Sequence, residues 1–384
     1  MTVDPGLLAR VRSRLATEGG VPTPGRVAAA LRHESGLQGD VEVLAVLRAL
    51  QSEIVGAGPL EPLLADPAVT DILVNAPDEV WVDRGSGFTR VAVRFPDEAA
   101  VRRLAVRLAA PSGRRLDDAQ PWVDARLVNG IRLHAVLPPV APAGTCLSLR
   151  IPRRTVFALE ELVSSRTVPP DGAALLQRLV ASRHAFLVSG GTGTGKTTLL
   201  SALLSLADPA ERLLLVEDAG ELAPDLPHVV RLEARPANVE GAGEVSLRDL
   251  VRQALRMAPT RLVVGEVRGA EVVDLLAALN TGHEGGCGTL HANSAADVPA
   301  RLEALAAVAG LTREALHSQL ASGLRVVVHV ARAAGGGRRR VGEVCVLRRG
   351  ADGLVVADPA WSWDGETAVG RDGVALSTLR ELVA

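Results

Sequence analysis

The stretch GGTGTGKTT, residues 190–198, constrains the fold more than any other part of this 384-residue chain. It has the spacing G-x-x-x-x-G-K-[ST], and it lies between an apolar run, AFLVS, and a helix-forming run, TTLLSALLSL. A glycine-rich loop between a strand and a helix wraps phosphate groups with its backbone N–H groups and with the positive end of the helix. The sequence therefore predicts a nucleotide site made of Gly190, Gly191, Thr192, Gly193, Thr194, Gly195, Lys196, Thr197 and Thr198.

Lys196 is the only lysine in the chain, because 41 of the 42 basic residues are arginine. A lysine ammonium is a compact point charge that fits between the β- and γ-phosphates, whereas the wide planar fork of arginine does not enter such a loop in the same way. The hydroxyl of Thr197 is placed to bind Mg²⁺. ATP and Mg²⁺ are therefore the predicted ligands.

Composition limits the classes of partner. The net charge of −2 and the 2% of aromatic residues argue against direct tracking along nucleic acid. The three cysteines, Cys146, Cys287 and Cys345, form no CxxC pair and are predicted to be buried, reduced thiols. No apolar run approaches the roughly 18 residues of a membrane span, and none resembles a signal peptide. We expect a cytoplasmic protein whose contact with a membrane is peripheral.

The pattern along the chain predicts an α/β protein with two domains behind a short helical lead-in. Residues 1–55 carry helical periodicity interrupted by Gly and Pro. Residues 56–152 alternate short strands with one helix over 96–110, which predicts an α+β domain. Residues 153–172 are predicted as a linker. In residues 173–384 apolar strands alternate with helices, which predicts a parallel sheet covered on both faces, with the final strands antiparallel at its edge.

Three further stretches place polar side chains at the carboxyl ends of predicted strands, where ligands bind in such sheets. VEDAGEL contains Glu217, Asp218 and Glu221, RLVVGEVRG contains Glu266, and GTLHANS contains His291. A carboxylate at Glu266 is suited to join the Mg²⁺ shell or to orient a water on the γ-phosphate. Each stretch alone also fits a solvated strand end, an ordinary loop acid or a core histidine. Their joint occurrence after the glycine-rich loop favours a nucleotide-hydrolysing site.

These stretches, in this order, resemble the Walker A loop, Asp box, atypical Walker B and His box of the secretion ATPases of the type II/type IV secretion superfamily. The strings GPLEPLLADPAVTDILVN and GRRLDDAQPWVDARLVNGIRLHAVLPP are similar to the N-terminal domain of the tight-adherence (Flp) pilus branch. The resemblance covers about residues 55–335. It implies a RecA-like P-loop ATPase core with a smaller, PAS-like α+β domain. Thr260, His134 and the absence of zinc-finger cysteines depart from related patterns, and they bear on the pathway rather than on ATP hydrolysis.

The resemblance implies a role for each matching residue. Lys196, Thr197 and Thr198 bind the phosphates, and Thr197 and Glu266 hold Mg²⁺. Glu266 also positions the attacking water, with Glu217 and Glu221 assisting and His291 sensing the γ-phosphate. Several arginines are candidates to bind nucleotide or neutralise charge during phosphoryl transfer, and Arg126 and Arg132 are favoured because they lie inside a matching string. The full set is Arg115, Arg126, Arg132, Arg150 and Arg268.

The resemblance further implies a ring of six subunits that binds ATP between its two domains and moves inner-membrane platform proteins. No specific nucleic-acid partner is expected. The alternative is a hexameric ATPase associated with DNA conjugation or translocation. A nucleotide-regulated scaffold without turnover is a third class, and the presence of Glu266 argues against it.

Overall fold

The computed structural model separates into two compact units, Met1–Arg153 and Arg154–Ala384. It describes residues 10–11, 13–14, 17, 24–35, 56–85, 87–127, 130–151, 157–235, 237, 241–282, 284–332 and 337–384. Helix α1, Pro24–Ser35, lies within the predicted lead-in, most of which lies outside the described residues. No helix among the described residues is both long and apolar enough to cross a membrane.

The smaller unit is built on a six-stranded antiparallel sheet in the order β3-β2-β1-β6-β5-β4. Its strands are β1 Asp71–Ala76, β2 Glu79–Asp83, β3 Phe88–Val91, β4 Trp122–Arg126, β5 Arg132–Val136 and β6 Cys146–Arg150. Its helices are α2 Glu61–Leu64 and α3 Glu98–Ala109, with 3-10 turns at Gly58–Leu60 and Ala110–Ser112. Alternate strand residues such as Ile72 and Leu133 are buried and share one core with Leu104 of α3. The predicted α+β architecture is confirmed.

The larger unit contains a nine-stranded sheet in the order β15-β14-β13-β12-β7-β11-β10-β8-β9. Its strands are β7 Phe186–Gly190, β8 Leu213–Glu217, β9 Val229–Glu233, β10 Arg261–Val267, β11 Cys287–His291, β12 Val326–Arg332, β13 Arg339–Arg349, β14 Val355–Ser362 and β15 Arg371–Asp372. The strands from β12 to β9 in that order pair in parallel, and β13, β14 and β15 continue the sheet in antiparallel pairing.

Helices cover both faces of this sheet. They are α4 Leu159–Ser164, α5 Pro170–Ala181, α6 Lys196–Leu204, α7 Leu247–Ala254, α8 Glu271–Leu279, α9 Val298–Val308, α10 Arg313–Gly323 and α11 Leu376–Leu382. Successive residues of β8 enter opposite cores: Leu215 joins Leu176 and Leu200 on one face, and Val216 joins Leu250 and Leu275 on the other. Continuous apolar runs fold this way because parallel strands are buried on both sides.

Strand β12 differs from the prediction, which made it antiparallel at the sheet edge. It pairs in parallel with β7, at Val330↔Gly190 among other positions, so the strand that leads into the glycine-rich loop has a neighbour on each side. The reason is the connection that precedes β12. Helices α9 and α10 carry the chain back to the opposite end of the sheet, and the returning strand must then run parallel.

The segment predicted as a linker, 153–172, is also different where the structure describes it. Helix α4 and the start of α5 lie in it, and Leu159, Leu162 and Val168 are buried in the core of the larger unit. The adjacent prolines Pro169 and Pro170 favour a linker when only the sequence is considered. Pro170 instead occupies the first position of α5, where a fixed φ favours the helix and no N–H is needed.

Candidate nucleotide site

The glycine-rich loop connects the end of β7 to the start of α6. A Cβ on Gly190 would lie 2.3 Å from the backbone oxygen of Val330, so only glycine fits between the loop and β12. Gly195, with a φ of 96°, precedes the first turn of α6 in a left-handed conformation that favours glycine. The hydroxyl of Thr194 donates to the carbonyl of Gly191 at 2.9 Å and closes the loop. The loop therefore has the compact, N–H-rich form that holds phosphates.

The Lys196 side chain is only 7% exposed and lies inside this loop. Its Nζ donates to the carbonyl oxygens of Gly190 at 3.1 Å and Gly191 at 2.9 Å, and it lies 3.3 Å from Nδ1 of His291. Burial lowers the pKa of Lys196, and the carboxylates of Glu266 and Glu221 oppose that shift. The ammonium therefore interacts electrostatically with two of the three acids predicted to act on the nucleotide, Glu266 and Glu221.

Glu266 and His291 meet at the ends of two neighbouring strands. The β10–β11 register shifts between Val264 and Val267, and Glu266 lies in this irregularity, which re-aims its side chain. Its Oε1 lies 3.2 Å from Nε2 of His291. Burial and the charge of Lys196 lower the pKa of His291, while Glu266 acts in the opposite direction. A lowered pKa favours the neutral imidazole, which has one donor and one acceptor nitrogen.

Glu217 has a different position from the one that its sequence neighbours suggest. It is 3% exposed, and its Oε1 accepts the backbone N–H groups of Glu221 and Leu222, both at 2.9 Å. Its other oxygen is buried without a hydrogen-bond partner among the described residues, and burial raises its pKa to about 7. Glu217 therefore positions the turn that carries Glu221, while Glu221 itself is exposed beside the loop.

The glycine before Glu266 makes room for Glu217. A Cβ on Gly265 would lie 2.7 Å from Cγ of Glu217, closer than real side-chain carbons approach. Glycine at this position lets the end of β8 pack directly against the end of β10. The Gly-Glu pair in RLVVGEVRG thus couples the position of Glu266 to that of Glu217.

Arg268 follows Glu266 on the same edge. Its guanidinium forms an ion pair with Asp218 and lies 3.8 Å from Oε2 of Glu266. The turn that carries Arg268 is held by Glu271, which sequence reasoning missed: its Oε1 accepts the N–H groups of Arg268 at 2.7 Å and Gly269 at 2.8 Å. An acid in the first turn of a predicted helix, GAEVVDLL, was the available signal.

Three of the predicted arginines form a row in the smaller unit. Arg126 lies opposite Arg132, and Arg132 lies opposite Arg150, on adjacent strands and on the face away from the buried core. Like charges directly opposite one another are unfavourable in a sheet, and Asp71 on β1, opposite Arg150, places a carboxylate at the end of this row. Arg115 lies outside the row, in an ion pair with Asp117.

A family model for the type II/IV secretion system protein matches residues 53–355. The chain belongs to this family. A Mycobacterium tuberculosis (strain H37Rv) protein provisionally named as a conjugal transfer protein, Rv3659c, is 60% identical over 347 residues, which cover 89% of this chain and 97% of the relative. The type IV secretion system protein PtlH of Bordetella pertussis is 34% identical over 313 residues, covering 74% and 92%.

Solved structures of similar fold include the ATPase DotB of Legionella pneumophila, at a TM-score of 0.54 and 20% identity, covering 75% of this chain and 79% of DotB. The pilus retraction motor PilT with bound ADP has a TM-score of 0.53 and 21% identity, covering 75% and 80%. The predicted fold of a RecA-like core with a smaller domain is confirmed. This secretion-family protein is an ATPase, as its loop and family membership indicate.

The residues of the loop fit Mg²⁺ bound together with a nucleotide. Mg²⁺ keeps several waters and takes one or two protein oxygens plus phosphate oxygens. The Thr197 hydroxyl and the Glu266 carboxylate would supply that number of oxygens. Among the residues that the structure describes, no group of three or more His, Cys, Asp or Glu side chains could hold a metal ion.

Proposed function

We propose that this secretion ATPase is a six-subunit ring that powers pilus assembly or protein secretion of the tight-adherence (Flp) type, acting from the cytoplasm on inner-membrane platform proteins. The observation that supports it is the convergence of Lys196, Glu266 and His291 on one loop, in a chain that is 34% identical to a type IV secretion protein.

Each group at the loop has a separate task in hydrolysis. Lys196 and the loop N–H groups hold the β- and γ-phosphates, and Thr198 contacts the α-phosphate. Thr197 and Glu266 hold Mg²⁺, which supplies positive charge against the phosphate oxygens when bound. Glu266 also orients the water, and its contact with His291 at 3.2 Å connects it to a side chain that senses the γ-phosphate.

The arginine row of the smaller unit supplies the remaining charge. Arg126, Arg132 and Arg150 neutralise the charge that develops during phosphoryl transfer, on the nucleotide of the same subunit or of a neighbour. This requires the smaller unit to close on the nucleotide and to open after hydrolysis. This movement is repeated in each subunit of the ring and is transmitted to the platform proteins. Arg268 acts within the larger unit, where its guanidinium keeps the carboxylates of Asp218 and Glu266 close together.

The ring is tested by measuring particle mass and ATPase activity on the same samples. Across a dilution series, we expect activity per subunit to rise with protein concentration and to follow the fraction of particles with six subunits. A concentration-independent activity in a purely monomeric sample would overturn the ring. Affinity purification of a catalytically inactive variant from detergent-solubilised membranes, with identification of the membrane proteins that co-purify, then tests for a platform partner.

Conjugal DNA transfer is the second candidate function, and it is favoured by two relatives. These are the mycobacterial Rv3659c and the conjugal transfer protein TrbB of Rhizobium radiobacter, which is 31% identical over 286 residues. We expect neither single- nor double-stranded DNA to stimulate the ATPase at about 150 mM salt, because the net charge is −2 and aromatic residues are few. Several-fold stimulation at that salt concentration would favour this second function.

A further inference from the structure

The strands β12 and β13 bring basic side chains to the flank of the glycine-rich loop. Strand β12 is fixed to β7 by pairing and by a buried contact in which Nδ1 of His329 lies 2.9 Å from the hydroxyl of Ser189. The start of β13 is fixed in turn, because the N–H of Val341 donates to the carbonyl of Thr167 at 2.8 Å. The backbone that carries Arg332 and Arg339 is therefore held firmly beside the loop.

Arg339 approaches the loop itself. Its Cδ lies 3.4 Å from the position that a Cβ on Gly195 would occupy, so its aliphatic stem lies against the residue that precedes Lys196. The guanidinium follows Cδ directly along the side chain. Arg332 lies opposite Arg339 on β12, and both side chains are exposed. Two like charges in register beside Lys196 and the positive end of α6 create a field that favours an anion.

The order of the strands in the sheet indicates on which side of the glycine-rich loop such an anion would bind. In the sheet, β11 and β10 lie on one side of β7 and carry His291 and Glu266, while β12 and β13 lie on the other side. Arg339 therefore flanks the loop on the side opposite to the groups that act on the γ-phosphate. A nucleotide bound with its γ-phosphate toward Glu266 would extend the part shared by ATP and ADP toward this side of the loop.

We propose that Arg339 is a nucleotide-binding residue that contacts the phosphate–ribose end common to ADP and ATP. It adds affinity for both nucleotides and leaves the hydrolytic step to Glu266 and its neighbours. This inference rests on the proposed function in one respect, namely that the nucleotide is bound with its γ-phosphate toward Glu266.

The test compares Arg339→Ala with Arg338→Ala, a matched control that removes the neighbouring exposed arginine. We expect Arg339→Ala to raise the Kd for ADP, measured calorimetrically, by about tenfold, and the KM for ATP by a similar factor, with kcat within about threefold of the parent. Arg338→Ala should change each quantity by less than about twofold. A Kd for ADP that is equal in the two variants would overturn the assignment.

Arg339→Met separates binding from packing. It keeps the stem that lies against Gly195 and removes the charge, so we expect the same loss of ADP affinity as in Arg339→Ala. Recovery of parental affinity by methionine would mean that the stem only supports the loop, and it would overturn the proposal. A parent protein that fails to hydrolyse ATP would instead refute the proposed function. If the parent hydrolyses ATP but Arg339→Ala leaves the Kd for ADP unchanged, this inference alone is refuted.

Discussion

Lys196 is the residue at which the effect of charge on ATP hydrolysis is most easily separated from the effect of side-chain shape, by substitution with arginine. The residue is buried, and its ammonium donates to two loop carbonyls, at 3.1 and 2.9 Å. We predict that Lys196→Arg folds normally but lowers kcat at least about tenfold, because the planar fork does not fit between the same carbonyls and the phosphates. Steady-state ATPase assays and thermal melts measure the two parts. Turnover within twofold of the parent would show that charge alone suffices.

Glu217 makes stability depend on pH. Its pKa is about 7 in the folded protein against an ordinary 4.5, so the folded state binds this proton more tightly than the unfolded chain. The stabilisation is complete at low pH and is lost as pH rises from about 4.5 to 7, by up to about 3 kcal/mol. Glu217→Gln removes the titration and keeps an oxygen for the N–H groups of Glu221 and Leu222.

We therefore predict that the free energy of unfolding of Glu217→Gln, relative to the parent, increases between pH 5 and pH 8 in nucleotide-free protein. Denaturant titrations at several pH values measure it, with Glu221→Gln as the exposed control. A difference between variant and parent that stays constant over this range would show that Glu217 is ionised throughout.

At the scale of elements, the ends of β8 and β10 act together. Gly265→Ala would place a Cβ 2.7 Å from Cγ of Glu217 and force the two strand ends apart. We predict a loss of about 1–3 kcal/mol in stability and a clear fall in kcat, because Glu266 moves with the strand. Gly342→Ala in β13 is the control, since its nearest neighbour is at an ordinary 3.6 Å. If Gly265→Ala and Gly342→Ala lowered stability and kcat equally, the proposed coupling between Glu217 and Glu266 would be wrong.

Elements and motifs differ in how far the sequence predicts them. Strands such as β1 and β7 and helices such as α6 are recognised from their apolar residues. Local signals mark the starts of other helices, such as Asp97 before α3 and Ser246 before α7. The direction of β12 was predicted wrongly, because a strand's residues do not encode which neighbour it will pair with. The edge strand β9 was not predicted, since its burial is only partial.

The candidate site shows the same limit. Lys196, Glu266 and His291 were identified because each belongs to a contiguous motif after a strand. The contact between His329 and Ser189 was not identified, because it joins segments far apart in the chain. The turns held by Glu217 and Glu271 are local, but the sequence does not show that these carboxylates point back to backbone N–H groups. The contact between β7 and β12 becomes apparent only when the sheet order is known.

At the scale of the whole molecule, the two units have separable contributions. We predict that Arg126→Ala and Arg132→Ala each change the Kd for nucleotide by less than about tenfold and lower kcat by about a hundredfold or more, the pattern of a contact made mainly in the transition state. Arg90→Ala, on β3 at the other edge of the same sheet, is the control. Unchanged kcat in both row variants would show that the smaller unit takes no part in hydrolysis.

The central claim is that Glu266 activates the water that attacks ATP held by the glycine-rich loop. The most direct test is to measure ATP binding and ATP hydrolysis by Glu266→Gln in the presence of Mg²⁺. The amide keeps the size of the side chain but cannot accept a proton or fully polarise water. The account predicts ATP affinity within a few-fold of the parent and turnover reduced at least about a hundredfold. Near-normal turnover by this variant would contradict it.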